Sequence, residues 1–436
     1  MRYAVARVVI IGAGLAGLAA ATRLKREGLT CLIFEKENRI GGLCRTERKN
    51  GFLFDYTGHL LHFRNDIFKS LIFSFKEPVI ESKKRNAWIF SHGIFTRYPF
   101  QANLYGLPAD IVIDCIYEYS RRHFIPCTES INNFNQWTDA YFGSGIARHF
   151  LIPYNTKLYR RDPSELTPDC AGRFIPDSDL KLLLRGALCD NKENLGYNSS
   201  FYYPSKGGIM AIAENLAKGI PVNTGEKVVK INIGSKKLLT SKGREVNYSK
   251  IISTQPVNEL IESCEDEIDR IRDCARNLRY VSVFNINLGI TGNITDKHWI
   301  YVPEEKFIFH RIGFNHNFSS NMAPQGFSSI YIEISYDPLT GIDKKSAIEE
   351  SVDNLLVMKI ISSREQVVLV HTIDIPYAYV IFDHKRKECL QTVRDYLWGK
   401  DIYTAGRFGS WDYFSMEDSF MDGWNVAEEK VINNRN

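Results

Sequence analysis

The chain has 436 residues, of which 44% are hydrophobic and 24% charged, and a net charge of +4. That length exceeds one compact core and predicts two or three domains, while the composition excludes intrinsic disorder. So slight a charge implies neither a nucleic-acid nor a membrane partner, and nine cysteines without a CxxC pair suit a reducing compartment better than a disulfide framework. No Cys/His cluster has metal-ligand spacing, so no metal is expected. No segment approaches the roughly 20 apolar residues of a membrane span. A cytoplasmic protein of open oligomeric state is the default expectation.

Arg2 and Arg7 precede an apolar stretch, Val8–Ala21, but glycines within that stretch mark a nucleotide fold and not a secretory leader. Val8–Ile11 reads as a short buried parallel strand. Gly12-Ala13-Gly14-Leu15-Ala16-Gly17 follows at once and opens a helix expected to run to about Arg26. Gly12 permits the tight turn, Gly14 lets backbone approach a pyrophosphate, and Gly17 lets helix and strand pack closely. The helix N-terminus offers N–H groups and a positive dipole end to phosphate. A second strand, Cys31–Phe34, ends in Glu35, placed to accept hydrogen bonds from an adenosine ribose and to repel the extra phosphate of NADP. Arg39-Ile40-Gly41-Gly42-Leu43-Cys44-Arg45-Thr46 adds a glycine pair and resembles the second signature of FAD-binding amine-oxidase-type flavoproteins. The expected cofactor is therefore FAD, held here by Gly12, Gly14, Leu15, Ala16, Gly17, Glu35, Lys36, Arg39, Gly41, Gly42 and Leu43.

No repeat, low-complexity tract or long linker divides the rest, so segments are expected to interleave in space. Residues 1–78 read as the first part of the nucleotide domain. Residues 79–103 read as strands of a sheet domain, on the alternation Asn86–Phe90 and the turn His92-Gly93. Residues 104–196 read as a helical domain broken at Pro126, Pro153, Pro163 and Pro168. Residues 197–277 return to the nucleotide domain through a helix at Met210–Lys218 and strands at Val228–Ile233 and Lys250–Ile252. The alternating runs VSVFNINLGI and SSIYIEISY place an antiparallel sheet, expected to bind substrate, in 278–375. Residues 376–436 close the chain with a strand, Asp401–Thr404, and a helix near Asp418. The fold class is α/β: a discontinuous Rossmann-type FAD-binding domain with a helical domain and an antiparallel-sheet domain.

Ala405-Gly406-Arg407-Phe408-Gly409-Ser410-Trp411-Asp412-Tyr413, then Glu417-Asp418-Ser419-Phe420-Met421, closely resembles the C-terminal flavin motif of UDP-galactopyranose mutases, chiefly the eukaryotic kind. That resemblance brings the last strand and helix back to the flavin and adds Gly406, Arg407, Trp411, Ser419 and Phe420 to its binding set. Tyr56-Thr57-Gly58-His59 resembles the segment that places a histidine beside the flavin N5. Arg97-Tyr98-Pro99-Phe100-Gln101 is similar to the family's uridine-binding stretch, which gives Tyr98, Phe100 and Gln101. Pro153-Tyr154-Asn155-Thr156-Lys157-Leu158-Tyr159 resembles PYNxKxW with Tyr159 in place of Trp, which gives Tyr154 and Asn155. Arg173 stands where one mobile flap carries an arginine, and Asn198-Ser199-Ser200-Phe201 resembles the NxTF turn of a second. His298–Glu304 and His310–Phe314 match a strand pair that supplies Tyr301 and Arg311 to the diphosphate; Tyr379 and Tyr413 complete that set.

The resemblance implies interconversion of UDP-galactopyranose and UDP-galactofuranose through an adduct of the sugar with reduced flavin N5, without net redox change. The departing diphosphate gathers negative charge, so fixed donors must face it. Arg173, Arg311, Tyr301, Tyr379 and Tyr413 form the expected clamp, and arginine suits it through bidentate binding of phosphate. The implied reductant is NADPH or NADH, though no second dinucleotide fingerprint is present. His59, Arg173 and Arg311 are the expected catalytic residues. Some positions depart from the pattern: His62 replaces a common phenylalanine, and Tyr379-Val380-Ile381-Phe382 lacks the usual proline. A mutase for another UDP-sugar, an oxidase or desaturase of the amine-oxidase or protoporphyrinogen-oxidase type, and a non-catalytic flavin-bearing scaffold remain open.

Overall fold

The computed structural model describes residues 6–124, 130–172, 175–191, 199–266 and 269–434. Two large sheets carry the architecture among those residues. The first has six strands in the order Leu32–Phe34, Ala6–Ile11, Glu245–Ser253, Lys237–Thr240, Val228–Asn232, with Ile402–Thr404 on the far side of Glu245–Ser253. Its centre is parallel: Ile10 faces Ile33 on one side and Ile252 on the other, and Ile252 in turn faces Tyr403. Val9, Ile10, Ile251 and Ile252 are all fully buried, as a strand covered on both faces requires. Helix Leu15–Arg26 follows the first strand and packs on helix Met416–Val426, so both chain ends meet on one nucleotide unit.

The second sheet has seven strands: Val367–Val380, Tyr280–Thr291, Phe327–Tyr336, Arg311–Gly313, Trp299–Tyr301, Ala87–Ser91 and Ile94–Arg97. Its neighbours run antiparallel as expected, except that Trp299–Tyr301 lies parallel to Ala87–Ser91. Strand Val367–Val380 crosses the boundary expected at 375/376. Pro376 lies where its register against Tyr280–Thr291 shifts, and the Ser282 hydroxyl donates to the Pro376 carbonyl at 2.7 Å. A proline that interrupts a ladder reads in sequence as a strand end; here it sits at a bulge.

Helices Ala109–Phe124, Phe134–Ile146, Ile152–Tyr159 and Leu180–Leu188 gather in the segment expected to be helical. Helices Asp66–Phe73, Lys344–Val357 and Arg386–Trp398 lie outside the expected set; Asn65 and Asp343 cap the first two with side-chain oxygens. Among the described residues no helix is long and apolar enough to cross a membrane, and no group of three or more His, Cys, Asp or Glu could hold a metal.

Candidate functional site

A cavity of about 840 Å³ runs between the two sheets. The nucleotide unit contributes Gly12, Gly14, Leu15, Ala16, Glu35, Lys36, Gly41, Gly42 and Leu43; the chain's last segments add Gly406, Arg407, Tyr413 and Ser419. From the seven-stranded sheet and its approaches come Tyr98, Tyr301, Arg311, Tyr331 and Tyr379, and His59 completes the wall.

The nucleotide side fits a dinucleotide. Gly14 is the N-cap of Leu15–Arg26 without a side-chain cap bond, so the helix dipole and first-turn N–H groups face the cavity unscreened. Gly14 and Gly42 pack against each other, and a Cβ on Gly42 would stand 3.1 Å from the Gly14 Cα, so the pair opens a lane along bare backbone. Gly17 lies behind that lane, outside the lining: a Cβ there would meet the Gly12 carbonyl oxygen at 2.0 Å, so its glycine serves helix–strand contact. Glu35 is 6% exposed; it accepts from the Ala13 N–H at 2.8 Å and the Glu37 N–H at 2.9 Å, which fixes its carboxylate on the cavity wall.

Opposite, Arg311 reaches across its strand pair to Glu333. Nε donates to Oε1 at 2.9 Å and Nη2 to Oε2 at 2.7 Å, a two-pronged pair in which Glu333 is wholly buried. Nη2 also donates to the Tyr379 hydroxyl at 3.3 Å, and that hydroxyl donates on to Glu333 at 3.3 Å. The Arg311 guanidinium holds the Glu333 carboxyl down at about 2 against its burial, while burial pushes neighbouring His310 down. Tyr98 and Tyr301 lie with ring centroids 4.8 Å apart, Tyr379 and Tyr413 at 5.7 Å. The Arg407 guanidinium lies 4.6 Å over the Tyr413 ring and donates to the carbonyls of Phe414 at 2.9 Å and Ala378 at 2.8 Å. His59 has its Nδ1 buried without a hydrogen-bond partner among the described residues, and burial pushes its pKa down to about 4. That shift keeps the ring neutral at pH 7 on the cavity wall.

Several expected residues stand elsewhere. Arg39 pairs with Glu47, whose carboxylate also accepts from the Tyr56 hydroxyl at 2.9 Å; Glu47 and Tyr56 line the cavity and Arg39 does not. Trp411 is fully buried in the core, and its carbonyl accepts from Arg386 Nε at 2.9 Å. Phe420 packs between Phe68 at 4.9 Å and Trp424 at 5.7 Å. Both secure the backbone that carries Arg407, Tyr413 and Ser419, without reaching the cavity. In the stretch expected to hold uridine, Tyr98 alone lines it. Phe100 stacks on Phe150 at 5.2 Å, and the Gln101 amide donates to the Pro176 carbonyl, because the 3₁₀ turn at 100–102 aims both at the helical segment. Asn155 donates to the carbonyl of Leu151, the N-cap of its own helix, at 2.7 Å. Tyr154 backs the cavity wall, edge-on to Tyr301 at 5.4 Å. Arg173 and Asn198 lie outside the described residues.

The residue that sequence reasoning missed is Glu333. Its signal was present: a lone acid in the apolar alternation of SSIYIEISY, on the face shared with Tyr331. What the sequence hid was register, which sets Arg311 directly opposite Glu333. Gly313 explains itself two residues on. The Tyr331 ring lies across it, and a Cβ there would meet ring atoms at 2.1 Å, so the glycine lets Tyr331 reach the cavity.

A family profile described as flavin containing amine oxidoreductase matches residues 133–429, and one described as an NAD(P)-binding Rossmann-like domain matches residues 10–71. Protoporphyrinogen oxidase 2, chloroplastic/mitochondrial, of Arabidopsis thaliana is 47% identical over 49 residues, 11% of this chain and 10% of that protein. The 4,4'-diapophytoene desaturase of Staphylococcus aureus is 40% identical over 65 residues, 15% of this chain and 13% of that protein. Both matches thus span a small part of those relatives' length. The crystal structure of a reduced UDP-galactopyranose mutase matches with a TM-score of 0.94 and 26% identity, covering 99% of this chain and 95% of that one. A putative protoporphyrinogen oxidase from Exiguobacterium matches with a TM-score of 0.76 and 15% identity, over 99% of this chain and 100% of that one.

Proposed function

Because this chain belongs to the flavin containing amine oxidoreductase family, we propose that it is an FAD-dependent nucleotide-sugar mutase interconverting UDP-galactopyranose and UDP-galactofuranose. The observation that carries this reading is the Arg311–Glu333 pair with Tyr301, Tyr379 and Tyr413 on the cavity that also takes in the glycine cradle. An oxidase or desaturase of apolar substrates has no use for a guanidinium and a cluster of tyrosines on its cavity wall. The likeness to the mutase structure, over nearly the whole of both chains, agrees with it.

The residues that would hold FAD are Gly12, Gly14, Glu35, Gly41 and Gly42 around its phosphates and ribose, with His59, Gly406, Arg407 and Ser419 at its other end. When bound and reduced, FAD supplies an electron-rich nitrogen nucleophile. The chain's own part is electrostatic. Arg311, held rigid by two bonds to Glu333, presents its remaining N–H groups to a diphosphate; Tyr301 and Tyr413 add hydroxyl donors to the charge that builds as UDP departs, and Tyr379 joins them by turning its hydroxyl proton from Glu333 to the diphosphate. Glu333 balances the guanidinium charge within the protein. Neutral His59 presents a lone pair or an N–H and takes no proton from water at pH 7. By sequence resemblance Arg173 joins the same clamp, and Asn198 contacts substrate from the second flap. NADPH or NADH would reduce the flavin in a reducing, cytoplasmic setting.

The second reading, an oxidase or desaturase, draws on the short matches to an oxidase and a desaturase. Titrating the FAD-loaded protein with UDP while recording the flavin absorbance, and then assaying hydrogen peroxide during aerobic turnover, separates the two. A saturable spectral shift with UDP and no peroxide supports the mutase; peroxide with amine or porphyrinogen substrates and no response to UDP overturns it. Replacing UDP-galactofuranose with other UDP-hexoses and UDP-pentoses then identifies the sugar.

A further inference from the structure

Lys157 stands outside the cavity lining, yet its ammonium is buried and fully engaged. It lies on helix Ile152–Tyr159 with 8% exposure. Nζ donates to the carbonyls of Val302 at 2.9 Å, Glu304 at 2.9 Å and Phe309 at 2.6 Å. An ammonium has three N–H donors and no more, so each is used on backbone. Burial pushes its pKa down to about 7, with Glu304 and Glu305 pulling it back up and Arg160 adding to the fall. Taking an ammonium out of water is expensive, and carbonyls offset that less completely than a carboxylate would. The arrangement therefore has to be explained by what those carbonyls belong to.

They belong to the turn at 302–310, which joins strand Trp299–Tyr301 to strand Arg311–Gly313. Tyr301 precedes the first residue of that turn and Arg311 follows the last, so its shape sets how the two side chains stand to each other. Across its neck the Val302 N–H donates to the His310 carbonyl at 2.8 Å, and on its far side the Ile308 N–H donates to Asn354 Oδ1 at 2.8 Å. Lys157 fills the middle. One turn earlier on the same helix, Tyr154 lies edge-on to Tyr301 at 5.4 Å and to His310 at 6.0 Å. A single short helix thus braces the turn from inside and its flanking strands from the side.

We propose that Lys157 is a positioning residue: by holding the 302–310 turn it sets Tyr301 and Arg311 at the separation that a nucleoside diphosphate requires. The proposal rests on the nucleotide-sugar reading of the cavity. Its test compares FAD-loaded wild type with Lys157→Met, which removes every donor, and Lys157→Gln, which keeps two. Amide hydrogen exchange is read over 299–313, and UDP affinity from the flavin absorbance per bound flavin. Val393→Ala is the control: a fully buried position on helix Arg386–Trp398, which contributes nothing to the cavity lining.

Lys157→Met is expected to lose exchange protection across 302–310 and to bind UDP about tenfold more weakly, with Lys157→Gln between it and wild type. Val393→Ala is expected to melt at lower temperature with UDP affinity unchanged. Wild-type exchange or wild-type UDP affinity in Lys157→Met overturns the proposal, as does an equal loss of affinity in Val393→Ala. A wild type that does not respond to UDP defeats the nucleotide-sugar reading instead, and exchange over 299–313 then decides by itself whether Lys157 fixes the turn.

Discussion

Replacing Glu333 with glutamine should expose how much of the fold's stability lies in the site. Glutamine keeps the shape, so no cavity opens, but the charge that balances Arg311 is gone. Glu333 is fully buried, and Arg311 is 18% exposed, so solvent screens the pair poorly. Its carboxyl falls from 4.5 to about 2 in the folded protein. At about 1.4 kcal/mol per pKa unit, the carboxylate contributes about 3 kcal/mol at neutral pH. That agrees with the roughly 3–5 kcal/mol lost when one member of a buried pair is removed. Because the folded pKa lies below the unfolded one, the contribution is complete above the unfolded value and fades as pH falls through the folded one. The gap between wild type and Glu333→Gln should therefore be about 3 kcal/mol at pH 7 and roughly half that at pH 3. Urea unfolding of both proteins across that range, followed by tryptophan fluorescence, reads the gap as a difference in midpoints. A gap that stays constant with pH, or none at pH 7, would refute the assignment of Glu333 as the charge partner of Arg311.

Arg311→Ala should cut turnover by about a hundredfold or more while flavin content stays at the wild-type level, because the guanidinium serves the diphosphate and not the cofactor; loss of bound flavin would contradict that division. Gly14→Val should fold and lose FAD, read as the ratio of flavin to protein absorbance after purification: a Cβ there meets only the Gly42 backbone, Cα at 3.7 Å and N at 4.0 Å, and the rest of the side chain enters the phosphate lane. Gly17→Ala should instead lose soluble protein, since its Cβ strikes the Gly12 carbonyl oxygen at 2.0 Å. His59 has its pKa pushed down to about 4 by burial, so its neutral form supports the fold above about pH 6.5 and that support fades as pH falls toward 4; His59→Gln should flatten the decline of the melting temperature over that interval.

The nucleotide side of the cavity was legible because its information is local. A strand, three glycines, a helix and an acid within a few dozen residues dictate one backbone path, and Gly12, Gly14 and Glu35 line the cavity as that path requires. The opposite side depends on register, which no short motif encodes. Arg311 could be picked out, but its fixed geometry comes from Glu333, twenty-two residues on and directly opposite across two strands. Strand Val367–Val380 runs past the boundary expected at 375/376 because the bulge at Pro376 lets the ladder continue beyond the proline. Phe100 and Gln101 stand off the cavity for a different reason. Motif resemblance names letters, and the turn at 100–102 decides which way they face; both face the helices, where an aromatic stack and a backbone carbonyl absorb them.

Anaerobic turnover with flavin redox state as the only variable tests the mutase assignment most directly. Purified FAD-loaded protein, oxidised in one vessel and reduced with dithionite in the other, is given UDP-galactofuranose, and the nucleotide-sugars are separated by chromatography. Conversion to UDP-galactopyranose in the reduced vessel alone is the expected outcome. No conversion in either, with flavin bound and UDP perturbing its spectrum, would contradict the galactose assignment; no conversion and no response to UDP would contradict the mutase itself.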